Sequence, residues 1–201
     1  MPENPAWPLQ RARTAVLVMD YQESIIDTLD TEETKALLGR AAALSGAARD
    51  ANVRVIYVVI SFRAGHPEAS PNNKSFSPVK SAGRLVEGAP GSAVHPAVAP
   101  RPGDLVVTKR RVSAFAGSDL ELLLRSLQVD TLLLAGIATS GVVLSTLRQA
   151  ADLDYRLAVV ADACADRDAE VHRVLTRKVF PRQAEVMDTA AAVGLLVRST
   201  G

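Results

Sequence analysis

Apolar runs rich in β-branched residues return along this chain at intervals that each leave room for a helix. That alternation constrains the fold more than any other feature. Continuous apolar runs belong to strands buried on both faces, and a parallel sheet covered by crossover helices is the architecture that buries them. The runs predict strands over Thr14–Asp20, Val53–Phe62, Asp104–Lys109, Val129–Ile137, Arg156–Asp162 and Glu185–Asp188. Between them the pattern predicts helices near 31–51, 118–127, 141–153 and 168–180, and a last one after Thr189. Asp30 with Glu33, and Ser118 with Glu121, have the spacing of capping boxes and support two of these starts. The expected fold is α/β: three layers, with a doubly wound, Rossmann-like parallel sheet of six strands. A chain of 201 residues suits one domain spanning 1–201 with a well-buried core.

Composition narrows the classes of function. Hydrophobic residues are 48% and charged residues 22%, as in ordinary globular chains. With 23 basic against 22 acidic residues and a net charge of +1, nothing marks a nucleic-acid or anionic-membrane surface. Lys109-Arg110-Arg111 reads as a strand end, not a basic patch. The opening MPENPAWPLQRAR lacks the basic and apolar regions of a signal peptide, and no apolar run approaches the ~18 residues of a membrane span. A single cysteine, Cys164, excludes an internal disulfide and a cysteine metal cluster. The protein is therefore expected in the cytoplasm, and Trp7 is expected to pin the N-terminal tail to the surface.

One segment breaks the alternation. Residues 63–103, including HPEASPNNKSFSP and EGAPGSAVHPAVAPRPG, hold many of the prolines and glycines. An irregular connection of that length is expected to be either a lid over a ligand or a solvated excursion.

In an open parallel sheet, ligands bind beyond the carboxyl ends of the strands. Asp20 ends the first predicted strand, Lys109 the third, and the turn at 138–142 follows the fourth and opens a helix. An acid, a base and a helix N-terminus would meet there if those strands are neighbours.

At these residues the chain resembles the isochorismatase-like hydrolases, the cysteine hydrolase superfamily that includes nicotinamidases and isochorismatases. The likeness runs through VLVMDYQ, VVTKRRVSAFAGSDL, GIATSGVVLSTLRQAADLDYRLAVVADACADRD and EVHRVLTRKVFPRQAEV. In most of that family an Asp, a Lys and a Cys form the catalytic group. The resemblance carries the Asp to Asp20 and the Lys to Lys109, and it puts the Cys at Val142. Valine has no lone pair and no proton, so a covalent route through that position is closed. Isochorismatases that lack the cysteine imply another route, in which the Asp protonates a vinyl ether and water adds to the cation. An Asp of ordinary pKa near ~3.9 is protonated about one part in a thousand at neutral pH, and a neighbouring Lys109 depresses it further. Asp20 as donor therefore requires burial; ionised Asp20 activating water does not.

The resemblance further implies that the N–H groups of Ala138 and Val142 face developing negative charge, after a non-proline cis peptide between Ile137 and Ala138. Ser140 is expected to cap the helix rather than act as a nucleophile. Cys164, after the fifth strand, is expected to be a buried structural thiol. His66, His95 and His172 are scattered, and SFRAGH has no Asp-x-His, so no metal and no cofactor are expected. Gln22, Phe62, Arg63 and Phe115 are candidate substrate contacts, with Arg63 suited to a carboxylate. The expectation is a hydrolase of a small organic metabolite, with Asp20 as acid or base assisted by Lys109. Family members commonly form homodimers or larger symmetric oligomers. The alternative is a ligand-binding or scaffold protein that has kept the fold and lost catalysis.

Overall fold

A computed structural model describes residues 9–29 and 31–198. Trp7 and the Asp30 half of the first capping box lie outside them. Six parallel strands form one sheet: β1 (Thr14–Met19), β2 (Arg54–Ile60), β3 (Leu105–Lys109), β4 (Thr131–Ile137), β5 (Arg156–Ala165) and β6 (Glu185–Met187), in the spatial order β3-β2-β1-β4-β5-β6. Every residue of β1 and β4 is buried, which explains why TAVLVM and TLLLAGI contain no charge. The edge strand β3 is half-exposed.

The helices are α1 (Glu23–Ile26), α2 (Thr31–Asp50), α3 (Ser77–Ser81), α4 (Leu120–Ser126), α5 (Leu144–Asp152), α6 (Ala169–Val174) and α7 (Thr189–Arg198). One apolar layer packs α2 and α7 against one face of the sheet, through Leu37, Leu44, Val16 and Leu196. The other packs α4 and α5 against the opposite face, through Leu124, Leu147, Leu17 and Phe180. The order in which strands are added reverses between β1 and β4, which run parallel, so the switch point of this doubly wound sheet lies at their carboxyl ends.

Several boundaries differ from expectation. The 168–180 helix is interrupted: α6 stops at Val174, a π-turn occupies Leu175–Val179, and a 3₁₀ turn Phe180–Arg182 contains Pro181, which has no N–H to continue a helix. Ser118 accepts from Leu120 N–H at 3.3 Å but lies one residue before the cap position, which Asp119 holds without a side-chain bond, and Glu121 does not close the box but pairs with Arg125 one turn on. Strand β5 runs past Asp162: between the Leu134↔Val159 and Gly136↔Cys164 pairs β5 advances five residues while β4 advances two, and this bulge brings Cys164 inside the strand.

The long 63–103 segment is packed rather than merely solvated. Phe62, Ala69, Phe76 and Leu85 form a third apolar cluster with Ile60, and the Phe62 and Phe76 rings meet edge to face at 5.3 Å. Backbone bonds between Phe62 and both Leu85 and Glu87 strap the segment to the end of β2.

Candidate active site

Asp20, just beyond the carboxyl end of β1, and Lys109, the last residue of β3, meet although those strands are not neighbours. Strand β2 lies between them, and the four-carbon stem of Lys109 spans its end. Lys109 Nζ stands 2.9 Å from Asp20 Oδ2 and donates to the Arg111 carbonyl at 3.0 Å. Both residues are buried, at 1% and 5% exposure. Asp20 adopts φ +60°, a left-handed conformation that Asp tolerates better than most residues, and its amide donates to the Val58 carbonyl. Asp20 Oδ1 is buried and has no hydrogen-bond partner. Burial pushes the Asp20 carboxyl above its ordinary range, against the pull of Lys109. Lys109 does pull the carboxyl down as expected, but the loss of water outweighs the ammonium and the net direction is upward.

Beside Asp20 the chain leaves β4. Met19 is in register with Gly136, so Asp20 and Ile137 are the next residues on their strands. The Ile137–Ala138 peptide is cis. A π-turn over Thr139–Val143 follows, with Gly141 outside helical geometry at φ −96°, ψ −105°. Ser140 is exposed and its side chain makes no cap bond; its amide instead donates to Asp166 Oδ2 at 2.7 Å. The capping reading of Ser140 is corrected accordingly: a carboxylate from beyond β5 satisfies the turn. Val142 is 2% exposed and belongs to the apolar layer beneath α5.

The other candidates do not all converge. Gln22 is fully buried and its amide is consumed: Nε2 donates to the Ile60 and Ser92 carbonyls at 2.9 and 2.8 Å, and Oε1 accepts from Ile60 N–H at 2.8 Å. It braces β1, β2 and the long segment. Phe62 is fully buried in the third cluster. Arg63 is largely exposed and pairs with Glu68. Phe115 is buried in the apolar layer under α5, with its ring against that of Tyr155. Cys164 is buried as expected, its thiol pushed up to about 12 by burial. Arg110 is held by the Ser61 carbonyl and Glu87 and forms no basic patch.

A cavity of about 710 Å³ opens past the carboxyl end of β5, lined by Leu37 and Arg40 of α2 and by Cys164, Asp166, Arg167 and His172, among others. None of Asp20, Lys109 and Val142 lines it, nor does any residue of the 63–103 segment. This opening therefore borders neither the long segment nor the Asp20–Lys109 pair. His172 and Asp166 were not singled out by the sequence, yet both touch the turn: His172 Nδ1 is 2.8 Å from the buried Thr139 Oγ1. No spacing rule relates positions 139 and 172; only the packing of α6 against the turn does. Among the described residues no three His, Cys, Asp or Glu side chains stand together as metal ligands, and no helix is long and apolar enough to cross a membrane.

The model of the isochorismatase domain matches residues 14–191. The chain belongs to the isochorismatase family. It is 34% identical over 181 residues to the uncharacterized isochorismatase family protein YecD of Escherichia coli O157:H7, covering 89% of this chain and 93% of that one. It is 31% identical over 192 residues to the maleamate amidohydrolase of Pseudomonas putida, covering 94% and 89%. Among solved structures, a cysteine hydrolase from Pseudomonas syringae pv. phaseolicola superposes with a TM-score of 0.87 at 26% identity, over 98% of this chain and 99% of the other.

Proposed function

We propose that this member of the family hydrolyses a small organic metabolite without a cysteine nucleophile. Asp20 acts as the acid or base, Lys109 orients it and balances its charge, and the N–H groups of Ala138 and Val142 receive the charge that develops on the substrate. The observation that carries this reading is the Asp20–Lys109 pair. Two charged groups are withdrawn from water at 2.9 Å, and one carboxylate oxygen is left buried and unpartnered. An orphaned carboxylate oxygen costs about 1–3 kcal/mol or more, and Glu68 Oε2 in the Arg63–Glu68–Arg110 cluster shares that state; what sets Asp20 apart is its near-complete burial with Lys109 at the strand ends that face the switch point. A catalytic carboxyl needs a free oxygen facing its substrate. Val142 takes the position of the family's cysteine, so the reaction proceeds by direct proton transfer and water attack. The raised carboxyl favours proton donation over water activation.

A second reading, ligand binding without turnover, draws support from the cavity past β5, which is lined by neither member of the pair. The two are separated by incubating purified protein with a panel of amides, esters and vinyl ethers of small acids, alongside Asp20→Asn. Turnover that disappears in Asp20→Asn supports the hydrolase. Binding with no turnover of any panel member supports the ligand-binding protein.

A further inference from the structure

The turn after β4 is not held by a regular helical ladder. Gly141 N–H and Val143 N–H both donate to the Ala138 carbonyl, at 3.0 and 3.3 Å, and Gly141 departs from helical geometry. Its shape is set from outside by two side chains delivered from β5 and α6. Thr139 is completely buried, so its hydroxyl must find a partner, and the partner is His172 Nδ1 at 2.8 Å. Ser140 N–H donates to Asp166 Oδ2 at 2.7 Å, a charge-assisted bond about twice as strong as a neutral one.

His172 is itself well anchored. Asp168 caps α6 by accepting from Glu170 and Val171 N–H at 2.8 and 3.1 Å, His172 N–H donates to the Asp168 carbonyl at 3.0 Å, and the His172 carbonyl accepts from the Thr176 hydroxyl at 2.8 Å. Asp166 comes directly after β5, whose last residue Ala165 is paired with Ile137. The short connection from β5 into α6 is therefore registered against the same strand end from which the turn departs.

We propose that His172 and Asp166 are positioning residues for the 138–142 turn, one fixing the Thr139 hydroxyl and the other the Ser140 amide, so that the remaining N–H groups of the turn keep a fixed aim. The proposal rests on the reading of that turn as the element receiving charge from the substrate. Neither residue touches the reacting atoms. Asp166 takes one amide of the turn for the protein, and His172 stops the buried Thr139 from rotating to a backbone carbonyl. A misplacement of the donors by about 1 Å costs about 10²-fold in rate, so loss of either contact should lower kcat by about 10- to 100-fold.

The experiment has two arms on the full chain. In the first, hydrogen–deuterium exchange is followed over residues 138–147 in wild type, His172→Leu, Asp166→Ala and the conservative His172→Asn and Asp166→Asn, whose amides keep a polar atom near Nδ1 and near Oδ2. Exchange in the turn should quicken in the Leu and Ala variants and stay near wild type in the Asn variants. In the second, the same proteins, with Thr139→Val, Thr139→Ser and the Thr139→Val/His172→Leu double variant, are assayed on the amide, ester and vinyl ether panel. Thr139→Val and His172→Leu should lower kcat with KM little changed and be non-additive in the double variant, while Thr139→Ser and His172→Asn retain activity. Unchanged exchange in both disruptive variants overturns the proposal, as does full kcat in a variant whose turn has loosened. A wild type that turns over no panel member while exchange responds as expected overturns the hydrolase reading and leaves the positioning role standing.

Discussion

The two oxygens of the Asp20 carboxylate are unequal: Oδ2 meets Lys109 Nζ at 2.9 Å, and Oδ1 is buried without a partner. Lys109 reaches it from a strand two places away, across the end of β2. The carboxyl is consequently both oriented and left with one face free. Neither member of the pair can be removed without stranding the other out of water.

Asp20→Asn and Lys109→Ala should therefore each abolish turnover of any substrate found. Breaking a buried pair by removing one partner costs about 3–5 kcal/mol, and both variants should unfold at lower temperature in a single cooperative transition. The measurements are steady-state kinetics and calorimetry. Full activity in Asp20→Asn would rule out both roles considered for the carboxyl.

The pH dependence follows from the raised Asp20 carboxyl. A folded-state pKa above the unfolded value means that the native protein binds the proton more tightly, so this residue's contribution to stability is greatest below the unfolded value and declines as pH rises through the folded one. Proton donation gives a rate that falls over that same upper window. Water activation gives a rate that falls instead as pH drops. A kcat/KM profile of wild type, read beside the pH-dependence of unfolding in wild type and Asp20→Asn, decides between them.

Iodoacetamide should leave activity intact at neutral pH. Cys164 is buried between β4 and the apolar layer under α5, and with its thiol pushed up to about 12 the reactive thiolate is scarce. Rapid inactivation in step with alkylation of Cys164, followed by mass spectrometry, would show that the one thiol in the chain belongs to the chemistry.

The sheet was legible because its strands are unbroken apolar runs, and such runs as TLLLAGI have nowhere to go but between two helical layers. Asp20 and Lys109 were legible because strand ends face the switch point in this architecture. The side-chain contacts were less so. Gln22 looked available from its place beside Asp20, but its amide is spent on Ile60 and Ser92, and Phe115 is buried against Tyr155. His172 and Asp166 were out of reach of any local pattern, since their contacts with Thr139 and Ser140 join segments 33 and 26 residues apart. The break of the 168–180 helix after Val174 was not legible either, since Pro181 marks only its end.

Gly136 offers a test of how closely the turn sits on the sheet. A Cβ added there would stand 3.1 Å from Met19 Cβ, from the Met19 carbonyl oxygen and from Val143 Cγ2. Met19 immediately precedes Asp20, and Val143 closes the turn, so the glycine lies at the point where the carboxyl and the turn are held together. The Met19 carbonyl belongs to a central strand and yields little; the Val143 side chain is the part that can move. Gly136→Ala should destabilise by about 1–3 kcal/mol, as overpacking in a core does, which for a domain of this size lowers Tm by about 2–4 °C per kcal/mol. It should also lower kcat, because the displaced Val143 carries the turn away from Asp20. Val143→Ala removes the clashing methyl groups, so the double variant Gly136→Ala/Val143→Ala should lose less stability than the sum of the two single variants, and recover part of the kcat lost in Gly136→Ala. Strict additivity in a calorimetric double-mutant cycle would show that the turn and the end of β4 do not press on one another.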